Sequence, residues 1–228
     1  MNGTVIIACE VMREELLRVS RSRTGELKFL SMGLHVRPDR LRETLQETLD
    51  STRDANQIVL GFGLCGAATE GLCSPHAPLI IPRVHDCIPL LLGRSEAVNG
   101  GPHLEKGTFY LSGGWMEGER TLMSEHRRAT VKFGEKRALR ILATMFSAYQ
   151  KLRFIRTDHP RLQSLEAEAQ GVADLLNLTL ESTEGDAQYL SRLVNGPWVF
   201  PEFLTFARGE TVTAAAFQTE QFVLQHSA

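Results

Sequence analysis

No stretch of the chain approaches the run of about 18 apolar residues that a membrane-spanning helix needs. The early apolar segment at residues 5–8 is also too short for the core of a secretory signal, and it meets Glu10, Arg13 and Glu14 at once. Charge of one sign is scarce as well. With 25 basic and 27 acidic residues, the formal net charge is −2, which argues against a general nucleic-acid binder. Familiar signatures are missing: a Walker-type phosphate loop, the His-Glu-x-x-His zinc motif and a nucleophile elbow around a serine. Cysteine is sparse, at four residues. A chain of 228 residues needs no disulfide staples, since it buries roughly 70–75% of its unfolded surface. These absences predict a cytoplasmic protein that touches neither membrane nor nucleic acid. Its few thiols are then expected to serve a metal or catalysis rather than cross-linking.

What the chain does have is alternation. Strands are expected at 5–8, 27–34, 57–60, 79–81, 108–111, 153–157, 178–181 and 203–206, separated by helical patterns. A helix is expected over 10–20, with Val11, Leu16, Leu17 and Val19 on its apolar face. Another follows Pro38 over 39–52, where Leu41, Leu45 and Leu49 repeat every four residues. Asp86 is placed to cap a short helix through Leu92 that Gly93 ends. Further helices are expected over 130–150, over 162–177, and from Gly185-Asp186 to Val194, the last stopped by Gly196-Pro197. Regular β–α alternation implies an α/β fold: a Rossmann-like, mostly parallel sheet with helices on both faces. The sheet runs through one domain over 1–228 or divides into two lobes near 116–130.

The chemistry collects just after the expected strands. Cys9 closes the first, His35 follows the second, Cys65 the third, and His85-Asp86-Cys87 the fourth. Parallel strands share one carboxyl edge, where open α/β sheets bind their ligands, so thiols remote in sequence would converge there. Cys9, Cys65 and Cys87 with His85 make a Cys₃His set suited to tetrahedral zinc. The three thiolates alone suit an iron–sulfur cluster with one open iron. His85 then acts as fourth ligand or proton carrier, Asp86 orients a ligand or caps the helix, and His35 is a further catalytic candidate or a backbone-bonded turn histidine. The plain alternative is that each cysteine is a small buried hydrophobe. Cys73 and His76 have ligand-like spacing but no company, and read as loop residues.

Gly61, Gly63 and Gly66 in Gly-Phe-Gly-Leu-Cys-Gly match the dinucleotide fingerprint after a strand, with Asp86 twenty residues further on. Only Ala67 to Glu70 remain for the helix that fingerprint requires, and the motif follows the third strand rather than the first. A tight loop explains the glycines equally well. Gly113-Gly114-Trp115 sets a bare backbone and a large ring at another strand end, as a cofactor wall or a core cap. The cations Arg127, Arg128, Lys132, Lys136, Arg137 and Arg140 read as a solvated helix face, with anion binding as the alternative.

The blocks Ala8-Cys9-Glu10, Leu34-His35-x-x-Pro38, Gly61 to Gly66, Pro82 to Ile88, Gly107 to Leu111, Gly113-Gly114-Trp115 and Asn195 to Trp198 resemble the bacterial and archaeal family catalogued as domain of unknown function 1638. The resemblance carries the family's motif positions onto Cys9, His35, Cys65, His85, Asp86, Cys87 and Trp115. It departs at Arg156-Thr157-Asp158, where an Asp-Thr-Gly-like turn is expected. It implies an association with corrinoid-dependent methyltransferase systems. The expectation is therefore a metal-dependent enzyme or accessory factor in thiol or corrinoid-linked methyl transfer. Its partner would be a small-molecule substrate or a corrinoid or methyltransferase protein, with a homo-oligomer as a further expectation.

Overall fold

The computed structural model describes residues 3–20, 25–93, 104–118 and 120–218. The chain divides into two compact units, one from Met1–Pro102 with Asp186–Ala228 and one from His103–Gly185. The boundary expected near 116–130 falls inside the second unit.

In the first unit, Ile6, Ile7, Ala8 and Cys9 are all buried. The strand reads as an unbroken apolar run because parallel strands are covered on both faces. It forms β1 (Thr4–Cys9), paired in parallel with β2 (Glu26–Leu30) on one side and β3 (Gln57–Gly61) on the other. β4 (Leu79–Pro82) follows β3 in parallel, and β8 (Phe203–Phe206) closes the sheet as an antiparallel edge. The order is β2-β1-β3-β4-β8, so the chain reverses its direction of travel between β1 and β3. The helices of this unit are α1 (Arg13–Val19), α2 (Pro38–Ser51), α3 (Cys87–Leu91) and α8 (Ala187–Asn195). Leu41, Leu45 and Leu49 of α2 are fully buried, as their four-residue spacing requires. On α8, Tyr189 packs edge-on to Phe203 and donates to the Glu202 carbonyl at 3.0 Å, while Arg192 holds the Glu202 carboxylate through two bonds of 2.8 and 2.9 Å.

The second unit is a parallel sheet of β5 (Thr108–Ser112), β6 (Lys151–Arg156) and β7 (Thr179–Glu184), in that order. With it stand α4 (Gly113–Glu117), α5 (Leu122–Phe133), α6 (Glu135–Met145) and α7 (Leu162–Leu176). Its core joins Leu111, Leu152 and Phe154 of the sheet to Leu165, Ala169 and Val172 of α7.

Three elements differ from the sequence-based expectation. The helix expected over 130–150 is broken at Gly134, whose left-handed backbone (φ +79°) separates α5, which already starts at Leu122, from α6, which ends at Met145. The strand expected over 27–34 stops at Leu30, and Met32–Val36 forms a 3-10 turn capped by Ser31, whose Oγ accepts from the Gly33 amide at 3.3 Å. The short helix α4 had no sequence signal beyond its two glycines. No helix among the described residues is long and apolar enough to cross a membrane.

Candidate functional site

Cys9 is the last residue of β1, the strand beside which the sheet order reverses, and it is 1% exposed. Its neighbour is set by the 3-10 turn after β2. There Glu10 Oε1 accepts from the Met32 amide at 2.8 Å and from Ser31 Oγ at 3.0 Å. That clasp fastens the turn to the end of β1 and brings His35 Nε2 to 3.3 Å from Cys9 Sγ. The imidazole stacks on the buried Phe62 ring, with centroids 6.1 Å apart. Burial lowers the His35 pKa, favouring the neutral ring that can accept a hydrogen bond or ligate a metal. Burial also pushes the Cys9 thiol up to about 12, against a backbone hydrogen bond at Val11 and with the Glu10 charge adding to the rise.

Cys65 reaches the same edge by a strained path. Cys65, Gly66 and Ala67 have successive φ values of +46°, +66° and +66°. For the two residues with a side chain this costs on the order of 1–3 kcal/mol each. The loop is fixed to the one after β4: Leu64 N donates to the Val84 carbonyl at 2.9 Å and Cys65 N to the His85 carbonyl at 2.7 Å. The two loops touch so closely that a Cβ on Gly63 would lie 2.4 Å from the Val84 oxygen. A Cβ on Gly61 would lie 2.7 Å from the Ala8 methyl. Burial, then the charges of Asp86 and Cys9, raise the Cys65 thiol to about 12, against a hydrogen bond at Gly63. Asp86 and Cys9 are therefore close enough to influence the ionisation of Cys65.

Asp86 caps α3, accepting from the Ile88 amide at 2.8 Å. Burial raises its pKa, against that hydrogen bond and the charge of His85. Cys87, the first residue of α3, is buried, whereas His85 two residues earlier is exposed. All four cysteines are free thiols. The structure thus joins His35 to Cys9 and sets Cys65 and Asp86 nearby. Among the described residues no group of three or more His, Cys, Asp or Glu side chains is arranged to hold a metal ion.

The other expected positions have local explanations. Gly61 and Gly63 are required by the close approaches just described, and residues 65–71 are turns rather than a long helix. The Cys73 backbone bonds both ends of the Gln46 amide, at 3.0 and 2.8 Å, and His76 meets the Asp50 carbonyl at 3.1 Å. Trp115 belongs to α4 of the second unit, where it packs on the core and helps line a cavity of about 290 Å³. Sequence reading named Glu10 but gave it no role. Its signal was its place directly after Cys9, opposite a serine positioned to cap a turn. His159 has no motif around it that marks it in the sequence. It is buried in the second unit, accepts from the Arg161 amide through Nδ1 at 3.2 Å and faces Glu117 with Nε2 at 3.2 Å.

A mostly parallel α/β protein with paired thiol and imidazole groups at a sheet's carboxyl edge is the class that fold and site define. A family model described as "Protein of unknown function (DUF1638)" matches residues 29–194, and the chain belongs to that family. The match contains His35, Cys65, His85, Asp86, Cys87 and Trp115 and starts after Cys9. No curated protein and no solved structure matches the chain.

Proposed function

We propose that the carboxyl edge of the first unit's sheet is a thiol-rich centre for a soft metal, zinc or an iron–sulfur cluster, in a Rossmann-like, doubly wound unit. The observation that carries this reading is the 3.3 Å separation of Cys9 Sγ and His35 Nε2. Two ligands of one tetrahedral zinc, with bonds of about 2.3 Å to sulfur and 2.0 Å to nitrogen, stand about 3.5 Å apart. Open α/β sheets bind ligands at the carboxyl ends of strands where the strand order reverses, and Cys9 and the loop carrying Cys65 follow the two strands that flank that point. Cys9 and His35 are the first two ligands in this reading. Cys65 would be the third and Cys87 the fourth, drawn in as the metal binds, with Asp86 orienting the set.

Cys9 and the neighbouring cysteines would hold such a metal, which would keep them as thiolates and so make a nucleophilic sulfur available. The chain's own part is to desolvate the thiols, keep His35 neutral and hold both through the Glu10 clasp. With the family's implied setting, this favours an enzyme or accessory factor of thiol or corrinoid-linked methyl transfer. Its partner would be a small-molecule substrate or a corrinoid or methyltransferase protein in the cytoplasm. Protein purified without oxygen should contain zinc, or iron with sulfide, near one site per chain. Cys9→Ser should lose that metal while keeping its circular dichroism. Full occupancy in Cys9→Ser removes the reading.

A second reading is a metal-free Cys9–His35 dyad, with the imidazole as base for the thiol. It is favoured by the same pair meeting where no third ligand stands with it among the described residues. Metal-free wild-type protein whose Cys9 reacts with iodoacetamide faster than in His35→Ala would select this reading.

A further inference from the structure

We propose that the helical hairpin of the second unit is a docking surface for an acidic, amphipathic helix of a partner protein. The hairpin is built as a surface. None of α5 is buried, and α6 buries only Ala138 and Leu142. Between residues 127 and 140 it carries Arg127, Arg128, Lys132, Lys136, Arg137 and Arg140 against the single carboxylate of Glu135, in a chain whose net charge is −2. Lys132, Lys136, Arg137 and Arg140 make no ion pair among the described residues, so none of the described carboxylates neutralises their charge.

A merely solvated face would stop at the cations. Here apolar side chains stand among them: Val131 is 89% exposed and Met145 65%, with Phe133 and Ile141 also exposed. The Phe133 ring lies 5.0 Å from the Lys132 ammonium and 5.2 Å from the Arg137 guanidinium. Phe133, Ile141 and Met145 line a groove of about 790 Å³ whose other walls include Lys136, Arg137 and Arg140. Cations around an apolar trough are the complement of a helix with an apolar ridge flanked by carboxylates. A second copy of this hairpin would set cation against cation. A bilayer is flat and meets a groove poorly, and a phosphate backbone has nothing to place on Phe133, Ile141 and Met145.

The probe is a fluorescent, stapled helix of about 20 residues with a leucine ridge flanked by glutamates, titrated into the full chain and followed by anisotropy. Saturable binding that weakens with salt is expected. The triple variant Lys136→Glu, Arg137→Glu, Arg140→Glu should weaken it by about tenfold or more. The same variant should gain binding to a probe with lysines in place of glutamates, which also shows that it is folded. Ile141→Ser with Met145→Ser should weaken the original probe severalfold at unchanged salt dependence. Any of three outcomes overturns the proposal: no saturable binding, equal binding by the triple variant, or tighter binding to phosphatidylserine vesicles or duplex DNA with the same dependence on the variants.

Discussion

The two units place their polar groups differently on sheets whose paired strands run mostly parallel. In the first, the strands beside the reversal point are buried almost along their length, and thiol and imidazole groups stand where those strands end. In the second, β7 is only partly buried, and charge lies along the strands themselves. Lys151 and Arg153 of β6 both bridge to Glu105 and to Glu181 of β7. These pairs raise the Lys151 and Arg153 pKa values and lower those of Glu105 and Glu181, so all four stay ionised near neutrality. At the carboxyl edge, where the first unit has a thiol facing a histidine, the second has His159, whose Nδ1 accepts from the Arg161 amide while Nε2 faces Glu117 at 3.2 Å. The same kind of ring meets a thiol in one unit and a backbone amide and a carboxylate in the other.

Two core substitutions should break the units apart. Phe154→Ala empties a fully buried aromatic site in the second unit and should cost about 3–5 kcal/mol. Hydrogen exchange should show the loss in β5, β6 and β7, with β1 and β3 protected as before. Gly63→Ala should act in the first unit, since its Cβ would meet the Val84 oxygen at 2.4 Å, a contact of backbone against backbone. A cost of about 2–4 kcal/mol is expected, in the range of overpacking and backbone strain. Its signature is loss of protection at the amides of Leu64 and Cys65. Equal loss of protection in both units for either variant would mean they unfold as one.

A smaller change tests how the first unit's site is held. Glu10→Ala removes the acceptor of the Met32 amide and Ser31 hydroxyl and should cost about 1–3 kcal/mol. Cys9 should become more accessible to alkylation. Glu10→Gln keeps an acceptor oxygen and should restore most of the protection.

The pH response should also separate the units. Cys9 and Cys65 hold their protons more tightly when folded, up to about 12 against an ordinary 9.0. Their protonated forms therefore favour the metal-free folded state fully below pH 9. That contribution is lost as pH rises from about 9 toward 12, because the unfolded chain gives up the protons first. His35 acts on the acid side. Its folded pKa lies below 6.5, so the unfolded state takes up the proton first and stability falls as pH drops below that value. His35→Gln should flatten the acid limb, and Cys9→Ser should flatten part of the alkaline limb, both read by denaturant midpoints in chelator-treated protein. The smallest effect is expected from Lys151→Ala. It should change the second unit's stability less than any variant above, and the difference should shrink in added salt, because the pair is open to solvent.

Much of the first unit was legible along the chain. The apolar run ending at Cys9, the four-residue leucine repeat of α2, and Asp86 ahead of α3 are local signals that the structure bears out. The second unit was harder to read where tertiary packing, not periodicity, decides the outcome. An unbroken helical pattern over 130–150 hides a hairpin, since one left-handed glycine redirects the chain without changing the spacing on either side. The short α4 was invisible for a similar reason: five residues carry too little periodicity.

At the site, sequence alone determined which residue types stand beyond each strand, because hydrophobic runs mark strands and whatever follows a parallel strand arrives at one edge. Which of those residues meet was decided only by the tertiary structure. Cys9 faces His35 rather than His85 because Glu10 clasps a turn that lies more than twenty residues away along the chain, and His85 is turned outward where its loop presses on Gly63. Such pairings rest on contacts between remote backbone segments, and no window of neighbouring residues records them.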